Sequence, residues 1–290
     1  MRATAGTTVG ILHPGSMGAA VASQLRRAGT QVVWDATGRS PATVRRAREA
    51  GLTAACGMAE LLALSDVVIS LCPPAAAEDV ALQVAEHSPA GKIYVEANAV
   101  SPERVRRIAD ALPQAVVIDA AVIGSPPVGG KQPRLYVSGA GEALDHMDRL
   151  FATTDVRVRP LGGEIGRASA LKLAYTSYQK ASRVLAAVAY GVAEANGVAE
   201  ELLDIAERRS GSYLAEPGYI PKTAARAWRW APEMEEAAEL VAEAGLPDDL
   251  MRAAAAVLSR WEGARDADLS IEEALGRLRD GSAGTVSPPD

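Results

Sequence analysis

Aromatic residues are scarce in this chain. Phe, Trp and Tyr make up 4% of its 290 residues, and Phe151 is the single phenylalanine. A core must therefore be assembled from Ala, Val and Leu, and the abundance of alanine predicts much helix and close helix contacts. Cysteine is equally thin. Cys56 and Cys72 form no CxxC pair, and His13, His87 and His146 are far apart. This excludes a clustered zinc motif and a disulfide framework, and it predicts reduced thiols and no metal. No apolar run reaches the ~18 residues of a membrane-spanning helix. The opening residues, Met1 to Thr8, lack the charged-then-apolar order of a signal peptide. Basic charge is also short: 30 Lys and Arg stand against 36 Asp and Glu, a net charge of −6, and the arginines are dispersed. That distribution gives no support to a nucleic-acid partner or an anionic membrane surface. The expectation is a cytoplasmic protein that handles a small molecule.

With 48% apolar residues the chain has material for roughly two domains at ~150 residues each. Its first half alternates. Nearly continuous apolar runs occur at Thr7–Leu12, Gln31–Trp34, Asp66–Leu71, Lys92–Glu96, Ala115–Asp119 and Arg134–Val137. Between them lie helical stretches at Ser16–Ala28, Pro41–Ala50, Glu78–His87, Pro102–Ala111 and Glu142–Phe151. Fully apolar strands separated by helices predict βαβ units and a parallel, doubly wound sheet of the α/β class. After Gly163 the strand signal vanishes. A proline-free helical pattern runs from Ile165 to Asn196 and stops at Asn196-Gly197. Further helices are expected at Ala199–Arg209, Pro232–Ala244, Asp248–Gly263 and Ile271–Arg279, with a break at Gly245-Leu246-Pro247. The predicted layout is a Rossmann dinucleotide-binding domain over residues 1–163 and an all-α substrate and dimerisation domain over 164–280. The long helix joins them, and 281–290 form a small, polar, Pro-containing tail.

The first strand ends in Val9-Gly10-Ile11-Leu12-His13-Pro14-Gly15-Ser16-Met17-Gly18, where a strand turns into a helix. In that context Gly15 lets backbone approach a pyrophosphate, Gly18 lets the helix pack closely, and the helix N-terminus holds the anion. His13 takes the position of the first glycine of GxGxxG. His13, Pro14, Gly15, Ser16 and Met17 are therefore expected to bind the cofactor. The second strand ends in Asp35-Ala36-Thr37-Gly38-Arg39-Ser40. An acid here suits the ribose hydroxyls of NAD, and a basic group suits the 2′-phosphate of NADP. Both are present; Gly38, Arg39 and Ser40 favour NADP(H), with NAD(H) the alternative through Asp35. Ser40 is also a candidate helix cap.

Taken together these residues resemble the β-hydroxyacid dehydrogenase superfamily, which includes 3-hydroxyisobutyrate dehydrogenases, the cofactor domain of 6-phosphogluconate dehydrogenase and the imine reductases. The turn around Pro14 to Gly18 carries the resemblance. So does Asp66 to Pro73, which implies that Cys72 and Pro73 lie under the cofactor. Val95 to Pro102 resembles the loop that meets the nicotinamide ribose, which gives Asn98 a place there. Asp119 to Ser125 falls at the substrate loop, and Gly163 to Lys172 has the spacing of the catalytic-lysine motif. The sequence departs from the pattern on the substrate side. Ile123 stands where a serine is usual, Thr176 where an asparagine is usual, and Pro232-Glu233 where a Lys–Asp pair is usual. The chain is also too short to hold the large helical domain of 6-phosphogluconate dehydrogenase, which argues against that activity.

Lys172, Thr176, Gln179 and Arg183 recur at helical spacing and share one face. The resemblance implies that Lys172 exchanges a proton with the substrate hydroxyl or carbonyl, while Asn98, Ser125 and Thr176 orient it. A lysine lowered from its usual value near 10.4 by desolvation would suit that task. The expected function is hydride transfer between NADP(H) and a small hydroxy or carbonyl substrate. An imine reductase, with Tyr175 in its favour, and a cofactor-binding protein without turnover are the alternatives. Tyr178, Tyr213, Tyr219, Trp228, Trp230 and Trp261 read as packing or interface residues, and Glu233, Glu235 and Glu236 as acids starting a helix. A homodimer is implied by the resemblance.

Overall fold

In a computed structural model, residues 6–208, 211, 213 and 216–280 are described; the expected tail, 281–290, lies outside them. The chain divides into two compact units, Met1–Thr176 and Ser177–Asp290.

The first unit opens with β1 (Thr8–Ile11), α1 (Ser16–Arg27), β2 (Gln31–Asp35), α2 (Pro41–Glu49), β3 (Thr53–Ala55), α3 (Met58–Leu64) and β4 (Val67–Ser70). It continues with α4 (Ala77–Ala85), β5 (Ile93–Glu96), α5 (Pro102–Ala111), β6 (Val116–Ile123), β7 (Arg134–Ser138), α6 (Gly141–Phe151) and β8 (Arg157–Pro160). The strands form one sheet in the order β3-β2-β1-β4-β5-β6-β7-β8. Alternate residues of each buried strand serve opposite faces. Val9, Ile11, Val67 and Ile69 pack with Val21 and Leu25 of α1 and with Met147 and Phe151 of α6. Leu12, Val68 and Tyr94 pack on the other side with Leu61, Val80, Val105 and Ile108 of α3, α4 and α5. A sheet covered on both faces requires apolar residues at every strand position, which is why the runs read as continuous.

The alternation predicts a parallel sheet, and one strand pair departs from it. β6 and β7 pair antiparallel, with Asp119 opposite Ser138 and Ile123 opposite Arg134. The connection between them, residues 124–133, contains no helix, and a parallel return needs a crossover. Three short elements also escape the periodicity. β3 and β8 are edge strands with one buried residue each, so neither presents an apolar run. The third is α3, with only two turns.

In the second unit α7 (Arg167–Ala195), which begins in the first, is followed by α8 (Ala199–Glu207), α9 (Tyr219–Ala224), α10 (Ala227–Glu243), α11 (Asp249–Ser259) and α12 (Ile271–Asp280). Gly197 and Gly245 end α7 and α10 in the left-handed region, with φ +70° and +71°. Each is followed by a six-residue back-bond, from Val198 N–H to Ala193 O and from Leu246 N–H to Val241 O. Pro232 was expected to start α10 but lies inside it. Its missing N–H and fixed φ suit a first turn, yet the helix begins at Ala227 and forgoes one internal bond there. Trp261 is buried and donates its indole N–H to Ala274 O at 2.8 Å, a packing anchor as expected. Among the described residues no helix is long and apolar enough to cross a membrane.

Candidate active site

Strands β1, β4, β5 and β6 run parallel, so their C-terminal ends share one edge. From β1 the chain moves outward to β2 and β3, then returns to the other side at β4. The crevice at this change of direction is where doubly wound sheets bind ligands. Leu12 N–H reaches across it to Ile69 O at 3.1 Å.

The turn after β1 folds on itself through Gly15 N–H to His13 O at 2.8 Å. Gly15 caps α1 without a side-chain bond, and no acid stands in the first turn. The leading N–H groups of the helix are thus offered outward with uncompensated positive character. A Cβ on Gly15 would meet nothing within 4 Å, whereas one on Gly18 would lie 2.4 Å from His13 O. Gly15 leaves room for a ligand; Gly18 is needed so that the helix can lie against the turn. His13, in the first glycine's place, has its Nδ1 buried without a hydrogen-bond partner. Burial, then the Arg39 guanidinium, push its pKa down to about 4, with Asp35 opposing.

Beyond β2, the Asp35 carboxylate accepts Thr37 N–H at 2.9 Å and lies 4.0 Å from Arg39 Nη2. Arg39 donates to Asp35 O and to Leu12 O, both at 3.3 Å, which fastens it beside the turn. Gly38 takes φ +67° to bring this loop round. Ser40 caps α2 by accepting Thr43 N–H at 3.3 Å, as expected. Arg46, one turn further, donates to Pro14 O at 3.3 Å and to Thr43 Oγ1 at 3.0 Å. Sequence reasoning missed Arg46 and Thr43; the signal was an Arg-rich helix starting at the phosphate-type loop.

At the ends of β4 and β5 a polar cluster is buried. Asn98 Nδ2 donates to Ser70 Oγ at 3.0 Å and to Cys72 Sγ at 3.3 Å. Asn98 N–H donates to Glu96 Oε1 at 3.0 Å, while Glu96 Oε2 and Asn98 Oδ1 have no partner. Desolvation raises Glu96 to about 7; hydrogen bonding by Asn98 is the main opposing effect, neighbouring Asp119 adds to the rise and Arg104 opposes it. Burial also raises the Cys72 thiol. Cys72 and Asn98 were expected at this edge and are found together; Pro73 follows, initiating a short 3-10 turn.

On β6, Asp119 is wholly buried and accepts four hydrogen bonds. They come from Ser138 Oγ (3.1 Å), Gly166 N–H (3.0 Å), Ser169 N–H (3.0 Å) and Ser169 Oγ (2.6 Å). It caps α7 from a distant strand. One turn later Lys172 Nζ donates to Val122 O at 2.6 Å, so the ammonium lies near the end of β6. Thr176 Oγ1 donates back to Lys172 O at 2.8 Å. Ser125 is exposed, two residues beyond β6. The side chains of Arg183, Glu233 and Glu236 lie outside the described residues. No group of three or more His, Cys, Asp or Glu among the described residues could hold a metal ion.

The residues at this edge fit a dinucleotide: an uncapped helix N-terminus, an open Gly15 and an unpartnered His13 Nδ1 line the crevice. Comparisons with known proteins agree. Residues 8–162 match the NAD binding domain of 6-phosphogluconate dehydrogenase, and residues 193–261 match a domain of unknown function, DUF1932. An uncharacterized 28.5 kDa protein of Methanothermus fervidus is 28% identical over 174 residues, 60% of this chain and 66% of that relative, just under two thirds of its length. A conserved protein of unknown function, whose structure is described as similar to 3-hydroxyacid dehydrogenases, is 28% identical with a TM-score of 0.58, covering 95% of this chain and 100% of that one. An imine reductase from Pseudomonas sp. shares the fold at 20% identity and TM-score 0.72, covering 94% and 99% of the two chains. A reductive aminase from Aspergillus terreus, solved with NADPH and ethyl levulinate, does so at 21% identity and TM-score 0.73, with the same coverage. The chain therefore belongs to the family of the NAD binding domain of 6-phosphogluconate dehydrogenase, with residues 8–162 as its NAD(P)-binding domain.

Proposed function

We propose that the protein uses NADP(H) to interconvert a small hydroxy compound and its carbonyl partner, with Lys172 as the proton-transfer group. The preference for the phosphorylated cofactor is supported by four groups. Arg39, Ser40, Thr43 and Arg46 surround the loop after β2, and the Asp35 carboxylate is engaged by Thr37 and Arg39. A 2′-phosphate would be held there by charge-assisted bonds.

The observation that carries the proton-transfer assignment is the 2.6 Å bond from Lys172 Nζ to Val122 O. It fixes the ammonium near the end of β6, on the edge where the cofactor turn and Asn98 also lie. When bound, the nicotinamide supplies or accepts the hydride at the substrate carbon. In reduction Lys172 gives its proton to the carbonyl oxygen; in oxidation its neutral amine takes the hydroxyl proton. Asn98, Ser125 and Thr176 orient the substrate. The test is turnover of Lys172→Ala with NADPH and a panel of aldehydes and ketones. A loss of about 100-fold or more in kcat is expected, and turnover near that of the unaltered protein would refute the assignment. A second reading, imine reduction, is favoured by Tyr175 on the same helix and by the fold shared with imine reductases and a reductive aminase. NADPH consumption with a cyclic imine, and none with ketones, would select it. The homodimer implied by the family resemblance is read by light scattering.

A further inference from the structure

Helix α1 carries one buried polar side chain, Gln24, among Val21, Ala22 and Leu25. A carboxamide costs stability in such a place unless its hydrogen bonds are made. Gln24 makes three. Its Nε2 donates to Pro127 O at 2.9 Å and to Asp155 Oδ2 at 3.0 Å, and its Oε1 accepts Asp155 N–H at 3.1 Å. Neither partner is near in sequence: Pro127 lies in the connection from β6 to β7, and Asp155 in the connection from α6 to β8.

The Pro127 contact stands apart from the other two. Residues 124–133 have no regular structure. Gly124, Gly129 and Gly130 take φ +126°, +63° and +80°, conformations that only glycine adopts readily. A loop of this kind needs outside support. At its base, Lys172 holds Val122 O; near its middle, Gln24 holds the buried Pro127 O. Ser125 lies between these two points. Gln24 itself is eight residues along α1 from Ser16, about 12 Å along the axis, on the helix whose N-terminus opens the proposed cofactor turn.

We propose that Gln24 is a positioning residue: it fixes the Ser125 loop relative to the cofactor helix, and so sets how well substrate binds once cofactor is seated. This rests on the functional reading above in assigning Ser125 to the substrate side. The clamp itself does not depend on that reading.

The experiment compares the unaltered chain with Gln24→Met, which keeps the volume and removes all three bonds. Gln24→Asn, whose amide is one methylene shorter, serves if the first variant does not fold. Asp155→Ala is the control, because it removes only the carboxylate partner and leaves the bond to Pro127. Hydrogen exchange of the peptide spanning 124–133 is measured first, without cofactor or substrate. Faster exchange is expected in the Gln24 variants, about 10-fold or more, and no change in Asp155→Ala. Equal exchange in the Gln24 variants and the unaltered chain, or equal acceleration by Asp155→Ala, overturns the clamp. Kinetics follow with any substrate found. KM for substrate should rise about 10-fold in the Gln24 variants, with kcat and the NADPH Kd within about 2-fold. A change in NADPH Kd with substrate KM unaltered overturns the positioning role. If no NADPH turnover is found in the unaltered protein, the functional reading fails and the exchange data still decide the clamp.

Discussion

Arg46 is the residue on which cofactor choice can be tested most directly. Its Nε donates to Pro14 O and its Nη2 to Thr43 Oγ1, so the guanidinium is held beside the loop proposed to take the 2′-phosphate. Arg46→Ala removes that charge together with one bond to Pro14 O of the glycine turn. We expect the NADPH Kd to rise about 10-fold, roughly 1.4 kcal/mol, and the NADH Kd to change by less than about 2-fold, read by tryptophan fluorescence titration. Equal weakening of both cofactors would mean that Arg46 supports the turn and does not select the phosphate. Residues whose role is local were legible from sequence: Gly15, Gly18 and Ser40 act through neighbours a few positions away, and their spacing announces them. Arg46, Gln24 and Asp119 were not, because their partners lie up to 32, 131 and 50 positions distant. No period in a single chain encodes such pairs.

Among the elements, α7 depends on a cap it does not contain. A helix leaves its first N–H groups unsatisfied, and a nearby Ser, Thr, Asp or Asn usually meets them. Here the acceptor is Asp119 on β6, which takes the N–H groups of Gly166 and Ser169 together with the Ser169 hydroxyl. Lys172 follows Ser169 by three residues and so inherits its direction from this cap. Asp119→Ala should cost about 3 kcal/mol, because buried donors lose a charged partner, and Ser169→Ala about 1 kcal/mol. The two losses should fall short of additive, since both variants delete the same bond; urea midpoints of the single and double variants measure this. Full additivity would mean that Asp119 and Ser169 stabilise the protein independently. The long strands and helices were read correctly because their burial is continuous or periodic. β3 and β8 were not, since an edge strand buries too little to leave a pattern, and the antiparallel turn into β7 depended on a connection too short for a crossover.

For the molecule as a whole, two titrating groups on the same sheet edge, buried Glu96 and half-buried His13, pull stability in opposite directions. Glu96 rises from 4.5 to about 7 in the folded chain. The native state then holds a proton that the unfolded chain has released, so stability falls as pH rises from about 4.5 to 7. His13 drops from 6.5 to about 4. Its unfolded form is protonated where its folded form is not, so stability rises as pH rises over that lower window. Across the overlap, about pH 4.5 to 6.5, the two slopes oppose one another and partly cancel. Glu96→Gln removes one of them while keeping an acceptor for Asn98 N–H. The variant should be more stable than the unaltered protein at pH 8, by up to about 3 kcal/mol. Its stability should climb with pH from 4.5 to 6.5, where the unaltered chain is flatter. Thermal melts of both proteins in buffers from pH 4.5 to 8 supply the comparison. If the two curves run parallel, Glu96 is ionised throughout, and the Asn98 loop is held by a buried carboxylate and not by one that shares its proton near neutrality.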